Sequence, residues 1–300
     1  MAEDLHAELA NCPIRGIEFT KVKGENGAVS KVRNLVRLKI SQVEFELHQR
    51  PGMTSNFGRL KGGCFETTDV FVRQVEEADI PTILETLSLV AELLSFATES
   101  RVLPYSHEYP AGTEFGARHS MVGTVQWFRP PFDEPEHIKL FVESCLGTYA
   151  QLRARRKLNV AIDYIHHSIM RGLAIEVQAG IACLAFENLR ENFARDEGYP
   201  HVAGYFQKRG CLKKDPKKRV HFVDHLKEMF QKVGQFSDAS RIIRIRNEVI
   251  HTGLMESNPT QKNDDLDFLE STLREYFLRT VGYHGPFFAY SGGSFAPTII

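Results

Sequence analysis

The chain lacks paired cysteines, since its five cysteines are scattered and never form a Cys-x-x-Cys pair. This spacing predicts neither a disulfide framework nor a zinc knuckle, and it is typical of proteins from reducing compartments. No uninterrupted run of about 18 apolar residues occurs, which is the length that a membrane span needs. The opening MAEDLHAELANC also lacks the basic and apolar regions of a signal peptide. We therefore expect a soluble, cytoplasmic protein that does not contact a membrane.

An excess of charge of either sign is also missing, because 37 basic residues nearly balance 38 acidic ones. This balance argues against a wholly basic protein that coats nucleic acid, since phosphate binding favours net positive charge, but it allows a local basic patch. The sequence contains no GxxxxGK[ST] loop, GxGxxG turn, HExxH helix or GxSxG elbow. Nucleotide hydrolysis, dinucleotide-dependent redox chemistry and serine hydrolysis therefore have no local motif, and we predict no cofactor and no metal.

The first part of the chain has the pattern of strands with one helix. Apolar residues recur at about every second position in segment 32–50, which predicts a half-buried strand, and segment 65–75 predicts another. Segment 79–99 starts with a capping aspartate and has a proline in its first turn, so it predicts a helix. Strand-like sequence returns over 101–128. Three prolines within residues 129–136 then break both ladders and helices, and we place a domain boundary there.

The second part shows apolar residues at i, i+3, i+4 and i+7 almost throughout, which is the pattern of amphipathic helices. We predict a helical bundle with helices in the segments 137–156, 160–171, 174–194, 221–233, 239–250 and 265–281. The predicted fold class is α+β: a small β-rich N-terminal domain with one long helix over 1–130, with few strands before residue 65, and an all-α bundle over 131–283. A Gly- and Phe-rich tail over 284–300 follows.

The segment ASRIIRIRNEVIHTG, residues 239–253, carries the candidate site. Arg246 is followed by Asn247 and then, one helical turn after Asn247, by His251; Gly253 is a natural helix C-cap. The helix dipole favours a protonated His251 in the last turn. Asn247 and His251 share a face, whereas Arg246 lies about 140° away, so a single helix does not converge all three on one point. A symmetric dimer with this helix at the two-fold axis would supply the missing side.

The arginine-to-histidine spacing alone has little specificity, because Arg279 and His284 repeat it. A polar helix face with a capped end is the alternative interpretation of Arg246, Asn247 and His251. The context distinguishes the two pairs. Only the first pair lies in a strongly periodic late helix, has an asparagine after the arginine and ends at a capping glycine.

Two further groups of polar residues lie in the predicted helices. Glu187 and Asn188, in the sequence AFENL, are candidates for supporting the site, with a solvent-facing or bundle-contact role as the alternative. Asp163, His166 and His167 share a helix face and invite a metal interpretation. Because no matching distant pair of ligands accompanies them, we predict that they do not form a metal site.

A basic segment, KRGCLKKDPKKR at 208–219, has seven positive charges in twelve positions and interrupts the bundle between two helices. Its functional interpretation is contact with an RNA backbone, and its alternative is a solvated loop. The candidate RNA-binding residues are Lys213, Lys214, Lys217, Lys218 and Arg219.

The sequence RNEVIHTG, late in a helical domain with an AFENL helix upstream, resembles the HEPN family, whose signature is Arg-Asn, three residues and His. The preceding ETLSLVAELLSFATESRV resembles the end of the N-terminal domain found before HEPN in Apea-like proteins. The resemblance covers about residues 65–282, and it implies that the bundle is of HEPN type.

The resemblance implies a metal-independent RNA endonuclease that acts as a homodimer, commonly in abortive-infection defence against phage. His251 of the two subunits would transfer protons, Arg246 would stabilise charge, and Asn247 would orient the histidine or the phosphate. The N-terminal domain would sense a phage-derived or nucleotide trigger. The target is left open among tRNA, rRNA and mRNA, and a non-catalytic HEPN scaffold or an RNA-binding regulatory protein are the alternative functions.

Overall fold

The structure is a computed structural model that describes residues 2–300 except 24–26, 54–59, 61, 111, 116–128, 171, 212–214 and 292–293. The chain forms two compact units. The first comprises Met1–Leu146 and Gly285–Phe288, and the second comprises Gly147–His284 and Ala289–Ile300. The division falls inside a helix; of the three prolines of segment 129–136, Pro130 and Pro131 precede that helix and Pro135 begins it.

An antiparallel sheet dominates the first unit. The described residues contribute seven strands in the order β2-β3-β4-β5-β1-β6-β7. Their bounds are β1 Glu3–Ala10, β2 Glu18–Lys23, β3 Val29–Ile40, β4 Val43–Gln49, β5 Glu66–Val75, β6 Leu103–Tyr109 and β7 Gly112–Phe115. The predicted strand at 65–75 is confirmed as β5. Strands β6 and β7 lie within segment 101–128, which has the predicted strand-like sequence. The remainder of that prediction, 116–128, lies outside the described residues.

The predicted single strand over 32–50 is two strands, β3 and β4, joined by the turn at Ser41 and Gln42. Ser41 has a φ of 54°, and this left-handed conformation reverses the chain. The alternation nevertheless identifies the buried face correctly, because Leu38 pairs with Phe45 and both are fully buried. The turn contains neither glycine nor proline, the residues that usually mark a turn in a sequence. The alternation of apolar and polar residues therefore gives no sign that the chain reverses between β3 and β4.

The expectation of few strands before residue 65 was wrong, because β1 to β4 all precede that position. β1 lies between β5 and β6 inside the sheet. Its sequence EDLHAELA is rich in Ala, Leu and Glu, which favour helices, so its intrinsic preference obscures the strand. Burial of Leu5, Ala7 and Leu9 against the core overrides that preference.

The predicted helix at 79–99 is confirmed as α1, Ile80–Thr98, with Pro81 in its first turn. The prediction of a capping aspartate was wrong, because Asp79 occupies the N-cap position but its side chain makes no capping hydrogen bond. Leu87, Val90 and Leu94 are buried, as expected for a core helix. Among the described residues, Glu77–Thr98 is the one helical segment with the length and hydropathy of a membrane span, and half of it is buried inside the protein. Such burial is typical of the core helix of a soluble domain.

Six further helices confirm the six predicted helical segments. Their bounds are α2 Pro135–Arg156, α3 Leu158–Ser168, α4 Ile175–Asp196, α5 Phe222–Lys232, α6 Ala239–Thr252 and α7 Pro259–Thr280. Helices α3 to α7 belong to the second unit, and α2 continues into it from the first. Buried aromatic rings form much of the second core: Phe230 packs against Phe186 at 6.3 Å and against Tyr276 at 5.9 Å between ring centroids.

The prediction of an all-α bundle over 131–283 was wrong, because a short hairpin lies among its helices, and a second hairpin follows the bundle. β8 His201–Val202 pairs with β9 Tyr205–Phe206, and β10 Pro286–Ser291 pairs with β11 Ser294–Ile299. Ala203 and Gly204 both have positive φ, which is the geometry of a tight hairpin turn. Two-residue strands are too short to show a period-two pattern, and the predicted tail at 284–300 contains the second hairpin.

Candidate active site

Helix α6 is defined at both ends by residues of the candidate segment. The side chain of Asp238 accepts hydrogen bonds from the backbone N–H of Ser240 and Arg241, and thus caps the first turn. At the other end Gly253 has a φ of 72°, and its N–H donates to the carbonyl of Val249 at 2.9 Å. Between these ends the apolar side of the helix, with Ile242, Ile245 and Val249, is buried. The polar motif residues therefore lie on the remaining surface of α6.

A buried carboxylate ties α6 to α7. Asp265 is fully buried and accepts hydrogen bonds from Arg241 Nε at 2.8 Å and from Arg244 Nη2 at 2.9 Å. Burial alone would raise the pKa of Asp265, but the hydrogen bonds from Arg244 and Arg241 outweigh it and lower the pKa. Asp265 is therefore charged at neutral pH, and it fixes the register of α6 against α7.

Arg246 points toward α4. Its Nε donates to Glu187 Oε1 at 2.8 Å, and its Nη1 donates to the side-chain oxygen of the neighbouring Asn247 at 3.1 Å. The second oxygen of Glu187 accepts from Arg190 Nη2 at 3.0 Å. One carboxylate thus holds two guanidinium groups, and this cluster keeps a formal positive charge.

Asn247 and His251 are exposed on the outer surface of α6, one turn apart. In the described part of the chain, no hydrogen bond or ion pair joins the His251 side chain to another residue. The structure therefore brings Arg246 and Asn247 into contact, and it leaves the His251 imidazole open to solvent. In the last turn of α6, the hydroxyl of Thr252 donates a hydrogen bond to the backbone carbonyl of Glu248 at 2.6 Å.

The two predicted supporting residues behave differently. Glu187 contacts Arg246 directly, although 59 positions of sequence separate them. Asn188 does not join this cluster: its side-chain oxygen is buried without a hydrogen-bond partner among the described residues, and its backbone carbonyl accepts from Asn192. The nearby thiol of Cys183 is not a reactive group, because burial raises its pKa to about 12.

A row of aromatic rings and arginines leads from Arg246 towards the basic segment. The Phe222 ring lies 5.4 Å from Arg246 Cζ and 5.2 Å from Arg190 Cζ. Arg190 Cζ also lies 5.3 Å from the ring of Phe206, in the β8–β9 hairpin. No local sequence signal identifies Arg190 or Phe222, since their contacts join residues far apart in the chain.

The described part of the basic segment is exposed beside this hairpin. Lys217 and Lys218 are exposed in a short 3-10 turn. Arg219 is exposed as well, and its guanidinium stacks 3.7 Å from the centroid of the Tyr205 ring. The backbone N–H of Val220, which directly follows the segment, donates to the carbonyl of Phe206 in β9 at 3.0 Å, and this bond holds the end of the segment against the hairpin. Two of the predicted RNA-binding residues, Lys213 and Lys214, lie outside the described residues.

The Asp163, His166 and His167 group does not present a set of free ligand atoms. The Nδ1 atom of His167 lies 2.6 Å from the backbone carbonyl of Asp163, and His166 is buried. Among the described residues, the side chains of His6, Glu8 and Asp69 lie close enough together to hold an ion. Arg50 already contacts both carboxylates of that group, so a cation occupies the place that a metal would need.

Helices α4 and α6 carry exposed apolar side chains a few positions in sequence from their contact at Gly180 and Val249. A Cβ atom at Gly180 would lie 3.3 Å from Val249 Cγ1, so glycine allows the two helices to approach closely. Exposed residues lie on both helices near this crossing or just past the end of α6: Val177, Leu184, Ile250 and Leu254. Neighbouring exposed apolar side chains are typical of surfaces that contact another protein.

Comparison of the chain with protein-family models, with curated proteins and with solved structures finds no match. The functional inference therefore depends on the residues themselves. An exposed imidazole can transfer protons, and two arginines on one carboxylate can bind a phosphate group. The exposed Tyr205 ring of the adjacent hairpin and the exposed lysines of the basic segment add contacts that suit a single-stranded nucleic acid.

Proposed function

We propose that this protein is a metal-independent RNA endonuclease of HEPN type that acts as a cytoplasmic homodimer. One observation carries the proposal: Arg246 is held by Glu187 beside Asn247, and His251 lies exposed at the end of the same helix. A polar helix face needs no arginine anchored to a distant carboxylate. A phosphate-binding site needs this kind of positioning, because charge stabilisation depends on fixed geometry.

The chemistry uses the RNA 2′-hydroxyl as the nucleophile. Its oxygen attacks the adjacent phosphorus, and the bond from phosphorus to the 5′-oxygen breaks. The neutral His251 of one copy takes the 2′-hydroxyl proton, and the protonated His251 of the second copy gives a proton to the 5′-oxygen. Arg246 stabilises the additional negative charge on the phosphorus oxygens, and Asn247 orients the phosphate or the histidine. The products carry 2′,3′-cyclic phosphate and 5′-hydroxyl ends.

A second copy of the chain supplies the second histidine. Arg246 and His251 lie about 140° apart around α6, so one helix presents them in different directions. The exposed apolar residues Val177, Leu184, Ile250 and Leu254 offer the surface on which two copies would associate. Association about a two-fold axis at this surface would bring the α6 ends of two copies close together.

The RNA strand would pass from the α6 site along the β8–β9 hairpin. Phe222 and Arg190 link Arg246 to this hairpin, where Tyr205 is partly exposed beside Arg219. Exposed rings stack on bases, while lysines and arginines contact phosphates, and neither contact requires a particular sequence. These contacts leave open whether the target is tRNA, rRNA or mRNA.

The biological role follows from the resemblance to HEPN and Apea-like proteins. We propose that cleavage serves abortive-infection defence in bacteria and that the N-terminal sheet senses a phage-derived or nucleotide trigger. The second candidate is a protein that binds RNA or assembles a complex without cleaving. The observation that favours it is the exposed Tyr205–Arg219 pair, since this pair supports binding in the absence of chemistry.

The first experiment incubates the purified full chain with total bacterial RNA in EDTA and maps the chemistry of the fragment ends. Four proteins are compared: wild type, Arg246→Ala, His251→Ala and the control His284→Ala. His284 is exposed and follows Arg279 at the spacing that separates Arg246 from His251. The His284→Ala variant therefore removes a histidine at the same spacing but outside the proposed site. We expect cyclic-phosphate ends from wild type and His284→Ala, and a loss of at least about 100-fold in the other two.

Equal cleavage by wild type and His251→Ala would remove the imidazole from the mechanism and refute the proposal. Cleavage that requires added Mg²⁺ would refute metal independence. If no protein cleaves, the comparison is repeated with RNA extracted from phage-infected cells together with their small-molecule extract. Continued absence of cleavage, with RNA binding retained, would favour the non-catalytic alternative.

A further inference from the structure

A second site lies at the opposite end of α6 from His251, in a cavity of about 590 Å³. This volume falls within the range of small-molecule sites. The α5–α6 connection, α6, α7 and β10 contribute its walls. The lining residues that matter for its chemistry are Phe236, Asp238, Arg241, Asp264, Phe268 and Tyr290.

Aromatic rings form much of this wall, and one of them is unusually exposed. The Phe236 side chain is 100% exposed although it is a large apolar group. Two other lining rings already contact guanidinium groups: Arg241 Cζ lies 4.4 Å from the centroid of Phe268, and Arg274 Cζ lies 5.1 Å from that of Tyr290. The wall therefore attracts cations to its ring faces, and the ring of Phe236 offers a further face.

The charges in the wall leave one carboxylate uncompensated. Arg241 is neutralised by the buried Asp265, and Glu275 accepts a hydrogen bond from Arg279 at 2.7 Å. The Asp238 carboxylate caps α6. In the described part of the chain, the carboxylate of the half-buried Asp264 has neither a hydrogen bond nor an ion pair. The cavity thus presents negative charge, which disfavours phosphate-bearing ligands.

A buried acceptor lies close to the same wall. Gln235 precedes Phe236 in sequence, and its Nε2 donates to the carbonyl of Thr272, a residue that lines the cavity. The Oε1 atom of Gln235 is buried without a partner among the described residues. The hydrogen bond of Gln235 holds the residue that precedes Phe236 against α7, next to the cavity.

We propose that this cavity binds an alkylammonium ion, with Asp264 as its counter-ion and Phe236 as its aromatic contact. The same chemistry has two sources, a free polyamine or a lysine side chain on another protein. The site is separate from the proposed RNA cleavage, because its residues lie at the N-terminal end of α6 and on α7. Its occupancy can therefore be measured as binding, whatever the catalytic outcome.

The test is calorimetric titration of the full chain with three probes. Spermidine represents the free amine, N-acetyl-lysine methylamide the protein side chain, and N-acetyl-norleucine methylamide its uncharged analogue. We expect at least one cation to bind with saturation below about 10 mM and the uncharged analogue to bind much more weakly. Binding of spermidine alone identifies a polyamine site, whereas comparable or tighter binding of the lysine derivative identifies a protein side chain.

Three variants locate the binding. Asp264→Asn keeps the shape of the side chain and removes its charge, so we expect about tenfold weaker binding. Phe236→Ala alters a fully exposed ring and should weaken binding without affecting the fold. Asp79→Asn is the control, because Asp79 is exposed at the start of α1 and makes no side-chain capping bond. The proposal is overturned if neither cation binds, if the uncharged analogue binds equally, or if Asp264→Asn binds like wild type.

Discussion

Glu187 accepts the Nε–H of Arg246 at 2.8 Å, and this contact turns the arginine of the motif toward α4 rather than along α6 toward His251. The same carboxylate also binds Arg190. The orientation of the guanidinium is thus set by a residue on another helix. In the proposed enzyme, Glu187 acts as a positioning residue and does not touch the reacting atoms.

Replacing Glu187 should lower cleavage through Arg246. In Glu187→Ala the guanidinium loses its acceptor, and we expect kcat to fall by about 100-fold, as small misplacements of a catalytic group do. Glu187→Gln keeps an oxygen acceptor and should retain more activity than the alanine variant. Single-turnover cleavage of a defined RNA measures the effect. The control is Glu191→Ala on the same helix, which removes the exposed pair with Arg195.

A dimeric site makes the His251→Ala protein an inhibitor of wild type. When the two are co-refolded with about a ninefold excess of the variant, random pairing leaves about a tenth of wild-type chains in wild-type dimers. Activity per wild-type chain should then fall about tenfold. Co-refolding with His284→Ala, which is expected to cleave like wild type, should leave the activity per total chain unchanged. Undiminished activity in the first mixture would show that each chain cleaves alone.

The basic segment should contribute salt-dependent RNA binding. Each phosphate contact to single-stranded nucleic acid changes the slope of log K against log salt by about 0.7, so a triple alanine variant should lower the slope by about 2. The variant replaces Lys217, Lys218 and Arg219. The matched control replaces the exposed Lys21, Lys23 and Lys31 of the N-terminal sheet. Fluorescence anisotropy of a labelled oligonucleotide, with the inactive His251→Ala background, reports binding without cleavage. Equal slopes in both triple variants would contradict the assignment.

A buried histidine should make the second unit sensitive to acid. His225 is fully buried, and neither ring nitrogen has a hydrogen-bond partner among the described residues. The pKa of His225 is lowered to about 4, mainly because the ring is buried and secondly because the positive charge of Arg190 lies nearby. The unfolded chain takes up the proton near pH 6.5, and the folded chain only near pH 4, so stability is complete above pH 6.5 and falls between these values.

The separation of the two pKa values corresponds to about 3 kcal/mol of unfolding free energy, which is lost across this window. Urea denaturation at a series of pH values measures it. The variant His225→Leu should flatten the dependence between pH 6.5 and 4, since it keeps an apolar group of similar size between Tyr199 and Phe206. His221→Leu, which alters an exposed residue, should retain the dependence of wild type.

Local signals identified α6 because everything that defines this helix lies within it or next to it. Its apolar period and Gly253 are adjacent in sequence, and the structure confirms the helix and its glycine cap. The strand β1 was missed for the opposite reason: its helix-favouring residues become a strand only when β5 and β6 pair with it on either side. The two-residue strands β8 and β9 contain too few residues for any period to show.

The amino-acid order alone was sufficient for the class of fold, the positions of the helices and the residues of the candidate motif, because periodicity and capping depend on neighbours a few positions apart. Folding in three dimensions decided which partners those residues meet. The contact of Arg246 with Glu187, the link through Phe222 and Arg190 to the β8–β9 hairpin, and the cavity that Phe236 and Asp264 line together all join distant parts of the chain. Such contacts arise from packing between helices, and the local pattern of a single helix does not encode them.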